Sequence, residues 1–141
     1  MSILVDTGAF YALADDSDRN AAAARAFFKS RLGQDRFVTT SAVVLETWTL
    51  LRNKLGWDAA RRFLEGVKAS GMTVHFVGEA DLEAARRILD QYADQELSLT
   101  DAASFCLMER HGLTEVFTFD KDFLVYRYGP GNRRSFSCHP D

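Results

Sequence analysis

The stretch Ile3-Leu4-Val5-Asp6-Thr7-Gly8 decides how the rest of the chain is read. Three apolar residues in a row, cut off by Asp-Thr-Gly, read as a short buried strand ended by a turn. The next thirty residues decide the kind of sheet. Ala9 to Ala14 fits a short helix, Asp18 can cap the next one, and Ala21 to Arg31 are strong helix formers stopped by Gly33. Phe37 to Thr40 is rich in β-formers and gives a second strand.

Working outward, Ser41 is the expected N-cap of a long helix that runs to about Leu55 and is closed by Gly56. Asp58 opens a helix to about Ala69. Met72 to Val77 alternates as a third strand. Glu79 to Tyr92 is helical, with Leu82, Ala85, Ile88 and Leu89 on the buried stripe. Ser98 starts another helix ending near His111-Gly112, and Val116 to Phe119 is a fourth strand. The tail from Gly129 reads as irregular, with Phe136 in a last edge strand. Strands alternating with helices of this length predict βαβ units: an α/β fold with a parallel sheet of four or five strands and helices on both faces. At 141 residues without linker, repeat or low-complexity tract, residues 1–141 are expected to form a single domain.

Ligands of such sheets gather beyond the carboxyl ends of the strands, which is where Asp6 and Asp120 fall. Each acid also has a structural reading. Asp6 can be a turn residue. Glu46, on one helical face with Val43 and Leu50, is an acid in an apolar stripe or a side chain at its edge. Ser98-Leu99-Thr100-Asp101 matches a capping box. Asp120 and Asp122 sit in a polar turn after the fourth strand; Asp120 is nearer the strand end, and Asp122 is the alternative ligand. Together the signals strengthen. Two unit charges 4 Å apart cost about 4 kcal/mol at an effective dielectric of 20, so convergent carboxylates need protons or a divalent cation. An all-oxygen set without cysteine or paired histidine selects Mg²⁺ or Mn²⁺ over zinc.

Ile3-Leu4-Val5-Asp6-Thr7, Ser41-Ala42-Val43-Val44-Leu45-Glu46, Leu99-Thr100-Asp101-Ala102 and Phe117-Thr118-Phe119-Asp120-Lys121-Asp122-Phe123 occur in an order and spacing that resembles the PIN-domain family, in particular the VapC-type toxins of bacterial toxin–antitoxin pairs. The resemblance implies Mg²⁺- or Mn²⁺-dependent hydrolysis of RNA phosphodiesters, a homodimer and an antitoxin protein partner. By motif position it gives the acidic quartet to Asp6, Glu46, Asp101 and Asp120. The hydroxyls of Thr7 and Thr100 are expected to steady the neighbouring aspartates. A PIN-type RNA-processing nuclease outside a toxin–antitoxin pair would read alike.

Charge is the objection to a nuclease. The net charge is -3 and the pI about 5.6, whereas nucleic-acid binders usually carry a basic footprint. A bound cation meets part of it by placing positive charge where a phosphate docks. The basic residues are scattered; Arg52 and Lys54, beyond Glu46, and Arg133 and Arg134, in the tail, are candidates for phosphate contact. The three histidines, His75, His111 and His139, share no spacing and receive no role. Cys106 and Cys138 lack metal-ligand spacing and read as idle thiols of a cytoplasmic protein. No signal peptide or apolar run of spanning length is visible.

Three other classes compete. Leu4-Val5-Asp6-Thr7-Gly8-Ala9 looks like the Asp-Thr-Gly of retroviral-type aspartic proteases, but those are almost wholly β and this chain is rich in helical segments. A receiver-like or phosphatase-like domain that phosphorylates Asp6 lacks the expected second early acid. A non-catalytic RNA- or protein-binding module fits poorly with acids retained at all four positions.

Overall fold

The computed structural model describes residues 1–141 and has the expected α/β architecture. In chain order the elements are β1 (Ser2–Val5), α1 (Thr7–Ala14), α2 (Ala21–Arg31), β2 (Arg36–Thr40), α3 (Ser41–Lys54), α4 (Trp57–Ser70), β3 (Thr73–His75), α5 (Glu79–Gln91), α6 (Leu99–Arg110), β4 (Glu115–Phe117), α7 (Asp122–Val125) and β5 (Ser137–His139). All strand pairs are parallel, and the sheet order is β3-β2-β1-β4-β5. The chain winds outward from β1 through β2 to β3, then restarts on the other side of β1 with β4. The switch point therefore lies between β1 and β4, where Val5 stands level with Phe117.

The alternation of β1 builds both layers. Ile3 and Val5 face a core with Ala9, Phe10, Phe27, Val43 and Phe117. Leu4 faces the opposite core, with Val38, Ala85, Phe105, Met108 and Phe123. Helices α1, α2 and α3 cover the first face, and α5, α6 and α7 the second. Because the strand is covered on both sides it carries no polar residue between Ile3 and Asp6, which explains its unbroken apolar run.

Several boundaries differ from the sequence reading. Thr40, not Ser41, is the N-cap of α3: its hydroxyl accepts from the Val43 N–H at 3.1 Å. Ser41 instead accepts from the Val77 N–H at 2.9 Å, tying α3 to the end of the third strand segment. Gly56 closes α3, donating to the Leu51 carbonyl at 3.0 Å, and at φ +100° it is also the N-cap of α4, so α4 starts at Trp57. The third and fourth strands are shorter than expected, at Thr73–His75 and Glu115–Phe117.

On α5 the expected buried Leu82 is exposed, and Asp81 turns inward with Ala85 and Ile88. Asp81 is held there by Arg110 at 2.7 Å and by the Gly78 N–H at 2.8 Å, two charge-satisfying partners from outside the stripe. The tail is more ordered than expected. Tyr128 bridges Arg134, Phe136 enters the core ahead of the edge strand, and β5 is Ser137–His139. Cys106 and Cys138 are free thiols, and no helix is long and apolar enough to cross a membrane.

Phe105 is fully buried, stacked on Tyr126 at 4.4 Å between ring centroids and edge-on to Phe123 at 4.9 Å. It holds α6 against α7 and the tail. Phe105→Ala is expected to cost about 3–5 kcal/mol in urea unfolding. A loss under about 1 kcal/mol would mean that this face does not depend on the aromatic cluster.

Candidate active site

The two strands that flank the switch point deliver the first carboxylates. Asp6 follows β1 directly, in extended conformation as N-cap of α1, and its N–H still donates to the Phe117 carbonyl of β4 at 3.0 Å. The β4–β5 pairing runs one residue past the strand, from the Thr118 N–H to the His139 carbonyl at 2.9 Å. That pairing fixes Thr118, which is buried. Its hydroxyl donates to Asp6 Oδ2 at 2.9 Å and accepts from the Asp120 N–H at 3.0 Å. Asp120 Oδ1 in turn accepts from the Asp122 N–H at 2.9 Å.

The third carboxylate arrives on a helix. Asp101 lies in the first turn of α6, where the Ser98 hydroxyl accepts its N–H at 3.0 Å. Only this half of the expected capping box forms. The Asp101 side chain meets Asp6 and Asp120 instead, and the three offer oxygens that all lie within 4.8 Å of one another.

Burial and crowding set the electrostatics. Desolvation pushes Asp6 up to about 6, with the charges of Asp120 and Glu46 adding to it; the Thr7 amide and the Thr118 hydroxyl pull the other way. Asp101 is also raised, first by burial and then by the charges of Asp6 and Asp120. Asp122 is raised by desolvation and by Asp120. Asp6 Oδ1 and the Thr7 hydroxyl are buried without a hydrogen-bond partner. An unpartnered buried carboxylate oxygen is costly, and facing two further carboxylates it has the environment of a ligand for a hard cation. The donor set, all oxygen, fits Mg²⁺ or Mn²⁺.

The trio opens into a cleft of about 810 Å³. Glu46 lines it from α3, half-buried, but stands outside the close trio. Asp122 lines it too. Thr100, expected beside Asp101 as a steadying hydroxyl, is not part of the cleft wall; Thr118 takes the steadying role, on Asp6. Sequence reasoning misses Thr118 because strand alternation marks it only as a β-former. The available signal is its place between the apolar β4 residues and Asp120. Of the basic candidates, Lys54 lines the cleft, while Arg52, Arg133 and Arg134 do not; Arg19 and Lys121 line it without having been singled out.

The PIN-domain family model matches residues 3–127. The chain is 33% identical over 122 residues to the 23S rRNA-specific endonuclease VapC20 of Mycobacterium tuberculosis, covering 86% of this chain and 91% of the relative. It is 29% identical over 119 residues to ribonuclease VapC26 of the same organism, covering 84% and 87%. The crystal structure of VapC20, described as a toxin that cleaves the sarcin-ricin loop, superposes with a TM-score of 0.80 at 30% identity, over 87% of this chain and 93% of that one. A toxin–antitoxin complex from Klebsiella pneumoniae shares the fold, with a TM-score of 0.59 at 18% identity, over 84% and 87%. With the family model matched over residues 3–127 and a VapC relative 33% identical over 86% of this chain, the chain belongs to the PIN-domain family, in its VapC-type branch.

Proposed function

We propose that this chain is an endoribonuclease, the toxin of a toxin–antitoxin pair, acting as one nuclease domain over residues 1–141 in the cytoplasm. The observation that carries the reading is the meeting of Asp6, Asp101 and Asp120, together with an Asp6 Oδ1 that is buried without a hydrogen-bond partner. Those three residues would hold Mg²⁺ or Mn²⁺, with Asp122 alongside. Such an ion supplies Lewis-acid polarisation of a phosphoryl oxygen and eases deprotonation of the attacking water.

The chain's own groups do the rest. Thr118 fixes Asp6 and the Asp120 turn in one network, and Ser98 fixes the turn that carries Asp101. Glu46 faces the trio across the cleft, close enough for its charge to act on Asp6. From there it would orient the attacking water and accept its proton. The Klebsiella structure is by its description a toxin–antitoxin complex and VapC20 by its own a toxin, which supports an antitoxin partner. A second copy is the other expected partner. An exposed apolar face carrying Leu45, Trp57, Leu64 and Phe76 supports docking on the α3–α4 side.

The purified protein is expected to cut RNA in Mg²⁺ or Mn²⁺ and not in EDTA, tested on a panel that includes 23S ribosomal RNA. Asp6→Asn should lower the rate on the order of a hundredfold or more, with unchanged circular dichroism. Full activity in that variant would overturn the site. Thr118→Val should lower activity and Mg²⁺ affinity by about 10–100-fold while all carboxylates remain. Equal Mg²⁺ titrations of the variant and wild type would show that the network is idle.

The raised acids also predict a pH dependence. Unfolded aspartates titrate near 3.8, whereas Asp6 in the fold titrates at about 6 and Asp101 is raised as well. Above pH 4 these two side chains therefore hold more protons in the folded chain than in the unfolded one, so the stability they contribute falls as pH rises through 6. In EDTA the Tm should drop between pH 5 and pH 8. Mg²⁺ should restore it at pH 8 by on the order of 3–5 °C and do little at pH 5. A Mg²⁺ effect of equal size at both values would refute the linkage.

A further inference from the structure

The cleft has a charge problem that the carboxylates alone cannot solve. Seven carboxylates line it: Asp6, Asp18, Glu46, Glu96, Asp101, Asp120 and Asp122. A polyanion must enter this wall of negative charge in a chain whose net charge is already -3. Three cations share the lining: Arg19, Lys54 and Lys121. None of them forms an ion pair or a side-chain hydrogen bond, although acids stand on every side. Arg61, Arg62, Arg86 and Arg87, on α4 and α5, are paired with acids of their own helix, whereas Arg52 and Arg133 are unpaired but lie off the cleft, so it is an unpaired charge on the cleft wall that sets Arg19, Lys54 and Lys121 apart.

Lys121 lies between Asp120 and Asp122 in the chain, next to the acidic centre, and is exposed. Arg19 and Lys54 stand apart from it. Lys54 ends the stripe Glu46-Leu50-Lys54 on α3, whose three residues all face the cleft. Eight residues separate Lys54 from Glu46, about 12 Å along the helix axis. Arg19 comes from the α1–α2 loop. That loop is held by its own bonds: Tyr11 to Asp15 at 2.6 Å, Ser17 to Asp15 at 2.7 Å, and the Asn20 N–H to Asp18 at 2.9 Å. Lys54 lies near enough to that loop for its charge to act on Asp15, and both Lys54 and Arg19 line the cleft.

A lysine in the last turn of a helix has a simpler use, complementing the helix dipole. On α3 Arg52 serves that purpose equally and lies off the cleft. The dipole explains a basic last turn, but not why Lys54 continues the cleft-facing stripe.

We propose that Arg19 and Lys54 form a two-point clamp for the RNA backbone, gripping phosphates one or two nucleotides from the one that is cut. The inference rests on the nuclease reading above. Both are positioning residues: they hold the strand in register with the carboxylates and take no part in bond breaking. Arg19 offers a planar fork suited to two phosphate oxygens, and Lys54 a point charge on a flexible stem.

The test is binding and cleavage of a short single-stranded RNA by the full chain. Binding is read in EDTA by fluorescence anisotropy across a salt series. Arg19→Ala and Lys54→Ala should each weaken binding about fivefold at 0.1 M salt and lower the slope of log K against log salt by about 0.7. In Mg²⁺ the loss should fall on KM rather than kcat, and Arg19→Lys should recover most of it. Arg52→Ala and Arg133→Ala, equally exposed and off the cleft, should change nothing. An unchanged salt slope in Arg19→Ala and Lys54→Ala, or an equal loss in Arg52→Ala, would overturn the clamp. Failure of the wild type to cut any RNA would overturn the nuclease reading instead, and the binding slopes would still decide the clamp.

Discussion

Asp6, Asp101 and Asp120 repel one another, and the fold forces them together. Each would be more stable in water, yet the register of Val5 against Phe117 leaves the chains after β1 and β4 side by side, and the first turn of α6 drops a third acid between them. The sheet absorbs the cost because both its faces are packed, so the strand ends cannot spread. What the architecture cannot supply is compensation: Asp6 Oδ1 is left without a partner. The rise of Asp6 and Asp101 above ordinary carboxylates is the same conflict expressed as proton affinity. A divalent cation and a proton are alternative solutions to one electrostatic problem, which links the stability of this molecule to the chemistry assigned to it.

Much of this was legible in the sequence because topology does most of the work. An apolar run ending at Asp6, with helices between strands, places that acid at the carboxyl edge of a parallel sheet before any side chain is placed. What escaped the sequence was set by tertiary partners. Asp81 displaced Leu82 from the buried stripe because Arg110, on a different helix, neutralises it. Thr40 took the cap from Ser41 because Ser41 was needed by the Val77 amide, 36 residues away. Thr118 could not be told from any β-branched strand residue until β5 was seen to hold it. In each case local propensity permitted two outcomes, and a group distant in sequence chose between them.

The position of Glu46 has its origin in the same geometry, which separates its role from that of the trio. Asp6 and the Thr118–Asp120 turn leave neighbouring strands at the switch point, and Asp101 enters between them. Glu46 instead belongs to the helix after β2, on the other side of β1, and lies well into α3 beyond its Thr40 cap. It therefore faces the trio across an open cleft: half-buried, near enough to raise Asp6, and outside the group whose oxygens lie within 4.8 Å of one another. A carboxylate held at that remove keeps access to solvent and suits work on a water molecule rather than a share in the crowded centre. The same helix then runs outward past Leu50 to Lys54. One α3 face therefore passes from acid to base along the cleft wall, and the site's two electrostatic demands are met by residues two turns apart on a single helix.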